Sequence, residues 1–415
     1  MHEINAAIAD MNKHEIILMN ITGEDKPGVT SSLTEILGKY NATILDIGQA
    51  NIHQSLSLGI LFRLDPDVHG SILKDLLFKA YELGVHAKFT PIERERYDSW
   101  VERQGKDCYI ITLLGQRITA EELSEVTKVV SAQGLNIDTI KRLTGRMPLE
   151  GEDELRNRSC IELSVRGTPT DKNAIHESYV KLSGELGIDI SFQSDNIYRR
   201  NRRLICFDMD STLIKTEVID ELADRAGVGE QVRAITESAM RGEIDFSESF
   251  KQRVALLKGL DESVMQEIAE NLPIMDGADH LMSILKKCGY KIAILSGGFT
   301  YFGNYLKKRF DVDYVYANEL EIEDGKLTGK HVGDIVDGQR KADLLRLLAQ
   351  VEKIELQQVI AVGDGANDLP MLNIAGLGIA FHAKPKVKEN ARQSISTLGL
   401  DAVLYFLGFR DIHIH

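Results

Sequence analysis

Residues 204–217, LICFDMDSTLIKTE, set two carboxylates, Asp208 and Asp210, two positions apart where an apolar, strand-like run stops. Unpaired charges at the tip of a core strand would repel each other and resist losing water, so a cation or a reacting group must compensate them. Side chains two apart in an extended segment point to the same side. Two further apolar runs end in a comparable way. KIAILS delivers Ser296, Gly297 and Gly298, and VIAVGD delivers Asp364, with Asn367 and Asp368 just beyond. Lys341 opens the helical pattern KADLLRLLAQ between them.

These residue types suit phosphoryl transfer. Asp208 and Asp364 are oxygen donors of the kind Mg²⁺ takes, one or two carboxylates leaving room for water and a phosphate oxygen. A cation so held offsets the carboxylate repulsion and polarises the phosphoryl group. An ionised Asp needs no base to attack, which makes Asp208 the candidate nucleophile and an aspartyl-phosphate the candidate intermediate. Asp210, its proton held by nearby negative charge, is the candidate acid for the leaving alkoxide and then the base for water. Ser296 and the Gly297 amide supply hydrogen bonds to phosphoryl oxygens, and Lys341 supplies charge. Asp368 can brace that Lys while Asn367 orients the metal's surroundings. Singly, an Asp can cap a helix, a Ser-Gly-Gly can be a turn and Lys341 a surface charge. Together, four loops would have to imitate a phosphate site at once.

Such loops need a scaffold. LICFD, KIAILS, VIAVGD and GLGIAF are short, apolar on both faces and separated by helical stretches, which predicts buried parallel strands with crossover helices, a Rossmann-like α/β sheet. Ligands bind beyond the carboxyl ends of such strands, where all of these polar residues fall. NELEIEDGKLTGKHVG reads as a hairpin with Asp324-Gly325 at its tip. The terminal RDIHIH alternates like an edge strand, with His413 and His415 weak candidates for metal ligation.

The amino-terminal half is different. EIILMNITGEDKPGVTSSLTEILGKYNATILDIGQA reads strand, turn, helix, strand, and the segments to residue 92 complete a β-α-β-β-α-β unit. After a polar joint at 93–106 the pattern returns at an offset of 93, pairing Val29 with Glu122, Ile36 with Val129, Ile44 with Ile137 and Ile47 with Ile140. The offset grows to 103 at Gly84 and Gly187, which a charged insertion in the loop 145–158 explains. This is a tandem repeat. The basic run NIYRRNRR at 196–203 reads as a solvated linker.

At 415 residues, two or three domains are expected. A net charge of −14, from 49 basic and 63 acidic residues, with no basic stripe, disfavours a nucleic-acid partner. Four scattered cysteines form no CxxC pair and fit reduced core thiols. The N-terminus has no apolar signal-peptide core, and no stretch reaches the ~18 apolar residues of a membrane span, so a cytoplasmic protein without a membrane partner is expected.

The repeated halves resemble a pair of ACT domains. The first keeps that family's turn as Gly23, Asp25, Pro27 and Gly28, whereas the second has Gln116, Ile118, Ala120 and Glu121 in those places. The resemblance implies an amino-acid effector such as L-serine and association through the sheets into a homo-oligomer, most simply a dimer. Pro27 and Gly28 also suit a plain helix start.

The order DMDST, SGG, Lys, GDGAND resembles the haloacid dehalogenase superfamily, and most closely its phosphoserine phosphatase family, over essentially all of 204–400. That resemblance implies Mg²⁺ as cofactor and O-phospho-L-serine as substrate. It carries over Asp208 as nucleophile, Asp210 as acid and base, and Ser296, Gly297 and Lys341 on phosphate. Asp364 falls on the metal, completed by the backbone carbonyl of Asp210, with Asn367 and Asp368 in support. Residues 216–275 then form a small helical cap. Its Glu217 and Arg253 match the residues that hold the amino and carboxylate groups, an acid and a forked guanidinium for a zwitterion. Met240 and Phe246 would shield the closed site. Glu217 as a helix-start charge and Arg253 as a surface ion pair are the plainer readings. The implied architecture is a Rossmann-like haloacid dehalogenase core (204–409) with a small helical cap, preceded by two ferredoxin-like βαββαβ (ACT) domains at 13–93 and 107–195. Another small phosphate ester as substrate, a phosphorylated signalling receiver, and an amino-acid sensor with an inactive core are the competing readings.

Overall fold

The structure, a computed structural model, describes residues 15–64, 69–103, 105–146 and 158–414. The chain forms two compact units, Met1–Gly105 and Lys106–His415.

The first unit contains β1 (Glu15–Glu24), α1 (Val29–Lys39), β2 (Thr43–Ile52), β3 (Ser55–Leu64), α2 (His69–Leu83), β4 (Val85–Ile92) and α3 (Arg94–Arg103). Its antiparallel sheet has the order β2-β3-β1-β4. Leu56, Leu58, Ile60, Phe62 and Leu64 alternate along β3 and are all buried, so one face of the strand makes the core. Helix α1 closes that core with Val29, Leu33, Ile36 and Leu37. The stretch 93–106, read above as a polar joint, contains helix α3, which buries no residue. Glu95 in its first turn and Arg103 in its last agree with the helix dipole, so its local charge pattern favours the helix without a core.

The second unit begins with β5 (Cys108–Gly115), α4 (Ala120–Ala132), β6 (Asn136–Arg142), β7 (Ser159–Arg166), α5 (Lys172–Leu186) and β8 (Asp189–Ser194), in the sheet order β6-β7-β5-β8. The repeat is visible in packing: Leu33 and Leu37 of the first copy return at the same offset as Val126 and Val130, the buried residues of α4. Most of the charged insertion at 145–158 lies outside the described residues.

There follow β9 (Leu204–Phe207), α6 (Val218–Arg225), α7 (Gly229–Met240), α8 (Phe246–Leu256), α9 (Ser263–Glu270), α10 (Ala278–Lys287), β10 (Lys291–Phe299), α11 (Thr300–Phe310), β11 (Tyr314–Glu323) and β12 (Lys326–Val332). The chain ends with α12 (Gly338–Val351), β13 (Val359–Gly363), α13 (Leu369–Ile374), β14 (Leu377–Phe381), α14 (Pro385–Asn390), β15 (Gln393–Ile395), α15 (Val403–Phe406) and α16 (Asp411–Ile414). The sheet order is β12-β11-β10-β9-β13-β14-β15, parallel except for the β11–β12 hairpin. Asp324 and Gly325 both have positive φ, 49° and 75°, as a two-residue hairpin turn requires. The chain leaves β9 to β10 on one side and returns as β13 on the other, so the tip of β9 is the topological switch point. Helices α6 to α9 occupy the stretch 216–275 that the sequence reading assigns to a cap.

Three expectations change. Within the terminal RDIHIH, Asp411–Ile414 form helix α16, not an edge strand: Asp411 accepts hydrogen bonds from the Tyr405 hydroxyl and the Gly145 amide, both at 2.6 Å, and this docking outweighs the alternation. His413 lies in that helix and His415 outside the described residues. The basic run at 196–203 is only half solvated, because Arg199 and Arg202 are 8% and 4% exposed. Arg199 pairs with Glu162 at 2.8 Å and Arg202 donates to Gln193 at 2.9 Å. Among the cysteines, Cys160 and Cys206 are buried, but Cys288 is exposed.

Strands β8 and β15, each at the edge of its own sheet, meet through side chains. The Gln393 amide accepts from Phe192 N at 3.1 Å and donates to Phe192 O at 2.9 Å, as a neighbouring strand would. The buried Asp189 carboxylate accepts from the amides of Ser396 and Thr397 and from the Thr397 hydroxyl.

Candidate active site

The carboxyl ends of β9, β10 and β13 bring the predicted residues together. Asp208 follows β9 directly, its amide bonded to Val362 O of β13 at 2.9 Å, which fixes the tip of one strand to the next. The chain then turns sharply, with Ser211 at φ 56° in the left-handed region. That turn brings Asp210 back so that its Oδ1 accepts from Val218 N, at the start of α6, at 3.0 Å. Asp208 and Asp210 are 5% and 8% exposed.

Ser296 and Gly297 lie within β10 where it bends away from β11, and Ser296 is fully buried. Ser296 Oγ accepts from Gly298 N at 2.9 Å. A Cβ on Gly298 would collide with Asp210 Oδ2 and come within 3.1 Å of Ser296 Oγ, so only glycine lets these two groups converge. Lys341, in the first turn of α12, is fully buried. Its Nζ lies 2.7 Å from Asp208 Oδ1 and 2.6 Å from Asp368 Oδ1. Asp368 also accepts from Gly365 N at 2.9 Å, and a Cβ on Gly363 would strike its carboxylate. Asn367 and Asp368 belong to a short 3₁₀ turn after β13, with Asn367 half-buried beside the start of α12.

Among the described residues, Asp208, Asp364 and Asp368 place carboxylate oxygens within 4.8 Å of one another. Buried Asp208 Oδ1 has the Lys341 ammonium, 2.7 Å away, as its counter-charge. Three crowded carboxylates offering hard oxygen donors fit a divalent cation. The Asp210 side chain lies outside this trio, and the role expected of it there belonged to its backbone carbonyl.

Electrostatics follow from the crowding. Burial, then the neighbouring Asp368, pushes Asp208 up to about 7 against the pull of Lys341. Burial and the charges of Asp208 and Asp368 push Asp364 up to about 8. Burial, with Glu217 and Asp208 nearby, holds Asp210 well above the usual carboxylate range. Burial alone would lower Lys341, but Asp208 and Asp368 hold it well above its ordinary value.

Of the cap residues, Glu217 is open to solvent on one side yet closely surrounded by protein, which raises its carboxyl. Ser211 Oγ opposes this by donating to it at 2.9 Å. Arg253, half-buried on α8, donates from Nε to Ser249 O at 3.3 Å and feels the charges of Glu217, Asp220 and Asp210. The Phe246 ring, at the start of α8, lies 2.9 Å from where a Gly297 Cβ would stand. Met240 is 62% exposed and, as folded, does not seal the site; its Sδ contacts Lys384 Nζ at 3.9 Å.

Two features were not singled out from the sequence. Ser211 fixes Glu217. Asn318 of β11, 1% exposed, donates to Gly297 O and accepts from Val336 N, both at 2.8 Å, clasping the Ser-Gly turn to the segment that starts α12. An Asn inside a strand-like run was the available signal. In the first unit, Asp25, Pro27 and Gly28 border a hollow of about 450 Å³, where Asn51 donates to Asp25 at 2.5 Å.

Residues 202–376 match the haloacid dehalogenase-like hydrolase family, and residues 15–90 and 108–193 each match an ACT domain family. The chain is 40% identical over 393 residues to phosphoserine phosphatase SerB2 of Mycobacterium tuberculosis, covering 94% of this chain and 93% of that protein. It is 37% identical over 394 residues to the phosphoserine phosphatase of Streptomyces coelicolor, covering 94% and 92%. Among solved structures, a probable phosphoserine phosphatase from Vibrio cholerae in unliganded form superposes with a TM-score of 0.56 at 34% identity, over 74% of this chain and 87% of that one. A HAD-family hydrolase from Salmonella enterica superposes at 0.60 with 30% identity, over 72% and 98%. No helix among the described residues is long and apolar enough to cross a membrane. With its full-length relatives and a hydrolase core behind two ACT domains, the chain belongs to the phosphoserine phosphatase family of haloacid dehalogenase-like hydrolases.

Proposed function

We propose that this enzyme hydrolyses O-phospho-L-serine to L-serine and phosphate, the last step of serine biosynthesis, in the cytoplasm. The observation that carries the reading is the convergence of Asp208, Asp210, Ser296 and Lys341 at three adjoining strand ends, beneath a cap that carries Glu217 and Arg253.

In this reading Arg253 pairs with the substrate carboxylate and Glu217 with its ammonium, while Lys341, Ser296 and the Gly297 amide bind the phosphoryl oxygens. Asp208 attacks phosphorus, forming an aspartyl-phosphate as the bond to the serine oxygen breaks. Asp210, whose carboxyl burial and neighbouring charge raise, gives a proton to the departing alkoxide. It then takes a proton from water, which attacks phosphorus and frees Asp208. Mg²⁺, held by Asp208, Asp364 and the backbone carbonyl of Asp210, would supply positive charge against the phosphoryl oxygens. Asp368 braces Lys341, Asn367 supports the phosphate side, and Met240 with Phe246 shields the site once the cap closes.

The assignment divides the chain at 13–93, 107–195 and 204–409, with the cap at 216–275. The ACT region serves as a regulatory or dimerising part, with an amino acid such as L-serine as effector at the Asp25–Gly28 turn.

The test is phosphate release from a panel of phosphoserine, phosphothreonine, phosphoethanolamine and sugar phosphates, with and without Mg²⁺. Phosphoserine should be preferred by kcat/KM, the reaction should require the metal, and Asp208→Asn should abolish it. Unchanged turnover in Asp208→Asn would refute the assignment, and loss of the preference with turnover intact would move the substrate elsewhere.

A further inference from the structure

The sheet of the second repeat has two faces. Tyr109, Ile111, Leu113 and Val165 pack with residues of α4 and α5 as its apolar core. Strand alternation and register place Thr112, Glu162, Ser191 and Gln193 together on the other face. Arg199 and Arg202, from the segment that leads into β9, are buried against that polar face through Glu162 and Gln193. Gln193 Nε2 donates onward to Ser191 Oγ and to Phe406 O of the hydrolase core, so this polar layer is the joint between the repeat and that core.

Charge in the layer does not balance. Glu162 is taken by Arg199 at 2.8 Å. Asp195 pairs with exposed Arg200 at 3.3 Å, and Asp189, four residues before Gln193 on β8, is held by Ser396 and Thr397. Arg202 has no carboxylate. Its one hydrogen bond runs from Nη2 to the neutral Gln193 Oε1 at 2.9 Å. Its Nε and Nη1 are buried with no acceptor among the described residues, and so is Arg199 Nε. Burial, then the like charge of Arg199, lowers Arg202 to about 10, with the Tyr290 hydroxyl opposing, so it is still a cation at neutral pH. A buried cation whose N–H groups lack acceptors needs both acceptors and negative charge. Water brings the first alone, whereas an anion brings both.

We propose that this layer binds a small monovalent anion of the chloride class against the unpaired edge of the Arg202 guanidinium, beside Arg199. One such ion matches the single uncompensated charge. It would lock the connector to the second repeat, far from any step of the proposed reaction.

The test is melting of the full-length protein, dialysed free of halide, in sodium chloride against sodium gluconate at equal ionic strength. Arg202→Met reports the general effect of exchanging the salts. The melting temperature of the parent should gain about 2 °C or more from chloride beyond the gain of Arg202→Met, rising with chloride concentration. Arg200→Met, which removes an exposed charge from the same segment, should respond like the parent. Crystals grown in sodium bromide should show an anomalous peak against the Arg202 guanidinium, and that map decides alone if Arg202→Met does not fold. A chloride response equal in parent and Arg202→Met, or no bromide beside Arg202, overturns the site. Neither measurement involves turnover of any substrate.

Discussion

Lys341 Nζ lies 2.6 Å from Asp368 Oδ1, and neither side chain has any exposed surface. With Asp208 at 2.7 Å, the ammonium is the counter-charge that lets a cluster of acids survive in the core. Replacing it by Met strands those acids. We expect Lys341→Met to lower kcat by about 10² to 10³ and to cost about 3–5 kcal/mol of stability. The double variant Lys341→Met/Asp368→Asn should recover part of the stability and little of the rate. Turnover and urea unfolding of the single and double variants measure both.

Asp210→Asn keeps the size and an oxygen for Val218 N but has no proton to give. Hydrolysis of phosphoserine should fall by about 10² to 10⁴. For p-nitrophenyl phosphate, whose leaving group needs no proton, the first step should persist while water attack slows. Rapid-mixing kinetics should then record a burst of nitrophenolate, equal to the enzyme present, that the parent lacks.

Asn318 touches no reacting atom in the proposed scheme; it positions the turn that does. Asn318→Leu leaves Gly297 O and Val336 N without partners, about 1–3 kcal/mol each. The expected result is a lowered melting temperature together with a kcat reduced by about tenfold or more, since small misplacements of a phosphate-binding turn are costly. A stability loss with unchanged kcat would make the clasp structural only.

Asp189 is buried, and that burial raises its carboxyl despite three hydrogen bonds. A raised carboxyl means that, as pH climbs above about 4, the unfolded chain releases this proton before the folded one does. Stability therefore falls across that interval. Asp189→Asn removes the effect, so parent stability relative to the variant should decline from pH 4.5 to pH 7.5. Urea midpoints of both proteins at the two values measure it, and parallel curves would count against the argument.

The fold and most of the site were legible because their signals are local. Asp208, Asp210, Ser296 and Asp364 sit where apolar runs end, and a chain of alternating strands and helices dictates which ends adjoin. The repeat was legible from spacing, and its packing partners Leu33 and Val126 occupy matching places. What escaped depends on partners far along the chain. Gln393 meets Phe192 across 201 residues and Asp411 meets Gly145 across 266, so neither the strand junction nor the terminal helix could be read from neighbours. Arg199 and Arg202 look like solvated charges until Glu162 and Gln193 are placed beside them. Met240, at the end of α7, is 62% exposed, which its place at the end of an apolar-spaced helix does not foretell.

The Gln393 amide does more than join two halves. A bare strand margin offers unmatched N–H and C=O groups to any passing extended peptide, the usual seed of fibre growth. Here Phe192 gives its amide and carbonyl to a glutamine side chain, so neither group remains for an intruding strand. A shorter or apolar residue at 393 would reopen that margin, and the penalty would fall first on solubility during synthesis.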